Sequence, residues 1–197
     1  NGVAPKDKAA RFHQGAFEMV VPGLPAVAVI ESSGDYVAAW TSFEQTDGDE
    51  SGQGIYAQRF FADGTPKGAA WLVNTAYTRD DQNAPAIATD AAGNFVVVWQ
   101  APDTNGLGIF GQRFDANGLP VGTAGFPVNT IETNGDQQLA AVAMNAVGQF
   151  VVAWQGEDAN NDGIRASLFA SDGTLLSADF VVNTFEDGNQ TAPDVAI

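Results

Sequence analysis

Three short acidic loops hold the residues of this chain best suited to chemistry. They read TDGDESGQG, with Asp47, Asp49 and Glu50; PDTNGLG, with Asp103 and Asn105; and EDANNDG, with Asp158, Asn160 and Asp162. Alternating carboxylate and amide side chains that end in glycine let several oxygen donors converge on one hard cation, as in the first half of a calcium loop. Calcium is therefore the expected ligand, and the third loop offers the fullest donor set. The twelfth position counted from Asp158 is Phe169, so no glutamate closes that loop and a helix-loop-helix site is excluded. The same residue types also serve plain turns, in which Asx side chains bond the local backbone.

Other chemistry is poorly supplied. His13 is the single histidine and there is no cysteine, which excludes a histidine or thiolate zinc cluster, thiol redox chemistry and disulfides. A Ser-His-Asp triad would have to recruit His13 from an irregular opening stretch. Carboxylates are plentiful, but the sequence shows no apolar pocket that would raise the pKa of one of a pair, so no catalytic residue is expected. Trp40, Trp99 and Trp154 could offer faces to sugars, yet each closes an apolar strand at the same point of a repeat, which is what a packing layer requires. Arg59 and Arg113 recur in QRF and read as links between units, or as packing stems. The Asn-Thr pairs at 74–75, 129–130 and 183–184 read as turn holders through side-chain to backbone bonds.

The elements that carry these residues form a tandem repeat. GDYVAAW, GNFVVVW and GQFVVAW recur, followed by GIYAQRF, GIFGQRF and GIRASLF, and then by AWLVNT, FPVNT and FVVNT. The period of roughly 55 residues is that of an array of supersecondary units, none of which buries its apolar surface alone. Each unit contains four β-rich runs separated by Gly, Asp and Asn turns. In FVVVW both Phe95, Val97, Trp99 and the alternate Val96, Val98 are apolar, so this strand is expected to be covered on both faces. The expected fold is all-β: a β-propeller-like array of four-stranded antiparallel blades, about three complete, with partial strands at both ends. Residues 1–24 form a partial preceding repeat or outer strand, 25–84, 85–138 and 139–191 the three repeats, and 192–197 the first strand of a further one.

Composition narrows the partners. With 24 acidic and 8 basic residues the formal charge is -16, which repels nucleic acid and anionic lipid. No apolar run approaches the length of a membrane-spanning helix, so no membrane insertion is expected. The chain opens on Asn1, which suggests a processed protein or an internal piece.

The wording GxFVVVWQ, acidic Gly-rich loop, GIYAQRFDAxGxPxG and FxVNT resembles a tandem repeat common in large secreted or surface bacterial proteins. The resemblance implies an extracellular or cell-surface location and a non-enzymatic structural or adhesive scaffold. Such a scaffold would be braced by calcium and associate with itself or with other surface proteins. The alternative expectation is a lectin-like propeller that binds glycans, for which Phe43 and Tyr77 are the aromatic candidates beside the acidic loops.

Overall fold

A computed structural model describes residues 25–43, 52–157, 162–185 and 187–197. Among these residues there are twelve strands and no helix, arranged as three four-stranded antiparallel sheets. The first sheet holds β1 (Ala26–Val29), β2 (Tyr36–Phe43), β3 (Gln53–Phe60) and β4 (Trp71–Leu72). The second holds β5 (Asn83–Thr89), β6 (Phe95–Pro102), β7 (Leu107–Phe114) and β8 (Pro120–Pro127), and the third β9 (Gln138–Met144), β10 (Phe150–Glu157), β11 (Asp162–Phe169) and β12 (Leu175–Val181). Strands neighbour one another in sequence order within every sheet, so each repeat folds as a meander. The preceding repeat expected at 1–24 lies outside the described residues. Residues 192–197, expected to start a further unit, are described and form no strand.

Turn chemistry sets the meander. The Asp90 carboxylate accepts the N–H groups of Ala92 and Asn94 between β5 and β6, and Asp115 accepts those of Asn117 and Leu119 between β7 and β8. Each central hairpin is then locked by a stacked cross-strand ring pair: Tyr36 with Phe60, Phe95 with Phe114, and Phe150 with Phe169, with centroids 4.9, 4.9 and 4.7 Å apart. Such pairs contribute beyond their burial, so they fix register as well as add stability.

The second sheet is sandwiched. Phe95, Val97 and Trp99 of β6 join Val37, Ala39 and Ile55 of the first sheet in one core, while Val96 and Val98 join Phe150, Val152 and Trp154 of the third in another. The period-2 alternation of a strand thus serves two cores at once. Trp99 and Trp154 are fully buried in these layers. Trp40 is only half-buried, on the opposite side of β2 from Val37 and Ala39, which pack toward the second sheet.

Candidate functional site

The repeated Asn-Thr pairs anchor the loop that leaves each sheet. In the first repeat, Asn74 Oδ1 accepts the N–H of Ile55, and its Nδ2 donates to Tyr77 O and to Gln82 Oε1. Gln82 Nε2 in turn donates to Arg79 O and Asp80 O, both at 2.8 Å. Asn129 with Gln137, and Asn183 with Gln190, repeat the arrangement bond for bond. Asn74, Asn129, Gln82 and Gln137 are buried, so each latch needs all its partners, and the loop between successive sheets takes one shape. The recurrence of Asn was visible in the sequence. Its glutamine partner eight positions on, at Gln82 and Gln137, was a usable signal read only as a mark of the period.

A second repeated contact joins neighbouring sheets at the far ends of their outer hairpins. Arg59 donates to Ala116 O in the β7–β8 turn, and Arg113 donates to Asp172 O and Ser171 O in the β11–β12 turn. The acceptors are backbone carbonyls rather than the carboxylates of a salt bridge. Burial holds the Arg113 guanidinium below its ordinary pKa, opposed by the Asp172 charge. A glycine completes the fit: a Cβ at Gly173, whose φ is +86°, would lie 2.9 Å from Arg113 Nη1. Leu168 stands at the equivalent position of the third repeat.

The two junctions differ at the end that carries the latches. Between the second and third sheets, the Asp179 carboxylate accepts the backbone N–H groups of Thr130, Ile131 and Glu132 at 2.9, 2.6 and 2.9 Å. The Ser167 hydroxyl donates to the Asp179 carboxylate and accepts the Asp179 N–H. Arg165 fills the remaining space, donating to Glu157 O and Asp179 O and facing Glu132 at 3.8 Å. Asp179 tolerates a left-handed φ of 40° because these bonds hold it there.

Between the first and second sheets the equivalent residues are Tyr77 for Glu132, Phe110 for Arg165 and Gly125 for Asp179. Tyr77 and Phe110 form a tilted ring pair with centroids 4.3 Å apart. The Tyr77 ring also rests on Gly125, where a Cβ would lie 2.9 Å from it. With no counterpart of the Asp179 carboxylate or the Arg165 guanidinium at these positions, this junction holds an open groove of about 510 Å³. Tyr77, Phe110, Asp103, Arg79, Thr133 and Asn129 are among its walls. Ala76, Ala101, Pro102 and Pro127 add to the lining, so the groove offers an aromatic face, small apolar surfaces and a few hydrogen-bonding groups.

The acidic-loop residues fare unevenly. Asp103 lines the groove, but Asp103 Oδ1 accepts the N–H of Asn105 at 2.7 Å, an Asx turn, and Asn105 Nδ2 donates to Asn134 Oδ1. Asp162 opens β11 and accepts from Gln155 Nε2 at 3.1 Å. Among the described residues no three His, Cys, Asp or Glu side chains gather as a metal-binding group. Asp47, Asp49, Glu50, Asp158 and Asn160 lie outside the described residues. Of the two aromatic candidates, Phe43 is exposed at the end of β2 while Tyr77 enters the groove. Phe110 and Arg79 were missed, because they come to Tyr77 only through the pairing of one sheet with the next.

No family model matches the chain, and no curated protein matches it. Among solved structures it is similar to an α-L-arabinofuranosidase from Lactobacillus brevis at 13% identity, over 81% of this chain and 53% of that one, with a TM-score of 0.47. It is similar to an endo-arabinase from Bacteroides thetaiotaomicron VPI-5482 at 18% identity, over 81% and 61% of the two chains, with a TM-score of 0.47. The catalytic domain of a Coprinopsis cinerea α-L-arabinofuranosidase matches at 10% identity, over 93% and 84%, with a TM-score of 0.30. The chain thus spans little more than half the length of the first two. These structures are glycoside hydrolases, and the expectation of a non-enzymatic structural or adhesive scaffold is corrected accordingly. Physically, that expectation assumed there was no pocket, whereas the inter-sheet groove is built from residues distant in sequence. Nor is self-association supported, while no helix among the described residues is long and apolar enough to cross a membrane.

Proposed function

We propose that the groove between the first and second sheets binds carbohydrate and that the chain is part of a carbohydrate-active protein. The carrying observation is the half-buried Tyr77 ring, held on Phe110 in an open groove whose other walls mix Ala and Pro side chains with hydroxyl, amide and charged groups. Sugars present apolar C–H faces and hydroxyl edges, which one aromatic wall and several hydrogen-bonding groups match. Asp103 is the carboxylate that lines the groove among the described residues. Its carboxylate is therefore the candidate for acid–base work on a bound glycosidic bond, a reaction that requires a second carboxylate across the bond.

The three sheets are read as successive blades of a propeller-like array. First strands lie against one another, β1 by β5 and β5 by β9, while the arginine clasps join the outer hairpins. On this reading the groove lies at a blade boundary. The test is calorimetric titration with a panel of oligosaccharides, arabinan fragments included, together with an assay for release of reducing ends. Binding that is lost in Tyr77→Ala supports the reading. Binding unaffected by that substitution, or no binding to any glycan, overturns it.

A further inference from the structure

The loop after β8 presents consecutive backbone N–H groups to the third sheet. These belong to Thr130, Ile131 and Glu132, and the Asp179 carboxylate occupies them. The equivalent residues after β4 are Thr75, Ala76 and Tyr77, and the residue that takes the place of Asp179 is Gly125, on which the Tyr77 ring rests. There Thr75 N–H turns back to Val73 O at 3.0 Å, and no described residue accepts from Ala76 or Tyr77 N–H. Ala76 and Tyr77 both line the groove, and Arg79 stands two residues on.

Resting on the reading of the groove as a glycan site, we propose that this open nest binds a carboxylate and that the favoured glycans carry a uronic acid. Successive N–H groups in a turn form an anion-binding concavity, and the third sheet shows a carboxylate seated in the matching one. The chain's charge of -16 opposes any diffuse attraction of anions, so recognition must come from directed donors rather than from the overall field. The Tyr77 ring beside the nest offers a face for the sugar ring that bears the acid, and Arg79 adds a cation to the same wall.

The test compares an oligogalacturonate with its fully methyl-esterified form on the intact chain, by calorimetry and by amide NMR. The acid is expected to bind at least tenfold tighter. It should move the amide resonances of Ala76 and Tyr77 while leaving Thr130, Ile131 and Glu132, already occupied by Asp179, in place. Ala76→Pro, which removes one donor, should cut the ratio of acid to ester affinity several-fold. Equal affinity for acid and ester overturns the inference and leaves the groove reading standing; so does a preference that survives Ala76→Pro but vanishes in Arg79→Gln. Tighter binding of a polyglutamate peptide than of the uronate would overturn it in favour of a peptide partner. Failure of both acid and ester to bind, while another oligosaccharide binds, overturns the inference; failure of every glycan overturns the groove reading as well.

Discussion

The junction between the second and third sheets and that between the first and second share the same order of strands and differ in the side chains that meet between them. In the former, Glu132, Arg165 and Asp179 interlock and close the space. In the latter, Tyr77, Phe110 and Gly125 leave a groove. The latches and arginine clasps are common to both, so the scaffold holds the sheets at a set spacing whether or not the gap is filled. A repeat array can therefore develop a site at one boundary without disturbing its neighbours, because each junction is stabilised locally.

The largest effect that would break this comparison is at the closed junction. Asp179→Ala would leave three backbone donors without their acceptor and is expected to cost about 3 kcal/mol, measured as a lower urea midpoint at unchanged slope. At the open junction, Tyr77→Ala removes one ring pair and part of its burial. It should cost only about 1–2 kcal/mol in the same measurement while abolishing glycan binding. A loss of stability as large as that of Asp179→Ala would mean that Tyr77 is chiefly a structural residue.

Removing a clasp should cost less, and equally at both boundaries. Arg59→Leu, which gives up one hydrogen bond to a backbone carbonyl, and Arg113→Leu, which gives up two, are each expected to lower stability by about 1 kcal/mol, since both keep an apolar stem. Unequal losses would show that the clasps, and not only the groove residues, distinguish the junctions. Glu132→Gln should change stability by less than about 0.5 kcal/mol, because its ion pair with Arg165 is long and partly exposed.

Acid should act on both clasps alike. Backbone N–H bonds, from Leu119 to Asp115 and from Thr174 to Asp172, hold both carboxyls below the ordinary 3.8, with the arginines adding to the effect. Folded-state pKa values below the unfolded ones mean that these contributions are complete above pH ~4 and fade as the pH falls through the lowered values. Thermal melts from pH 6 to pH 2.5 should show stability falling in that acid window. The fall should be smaller in Asp115→Asn and in Asp172→Asn.

How much of this was legible follows from how local each signal is. The double-faced burial of β6 was readable because Phe95 to Trp99 lie side by side in one strand. The hairpins were readable because Asp-Gly and Asn-Gly turns announce themselves. The groove was not, since Phe110 reaches Tyr77 only when the second sheet packs on the first, and neither residue is remarkable alone. A trace did exist. Aligning the repeats position by position shows Tyr77, Phe110 and Gly125 changing together to Glu132, Arg165 and Asp179, and a joint change of that kind marks residues that touch.

The most direct test of the account is a crystal structure of the chain grown with an oligosaccharide that binds it. The account expects sugar density in the groove between the first and second sheets, stacked on Tyr77 and within hydrogen-bond reach of Asp103 or Arg79. The junction filled by Asp179 and Arg165 should be empty of sugar. Density at that closed junction, or on an outer face with the groove unoccupied, would contradict it.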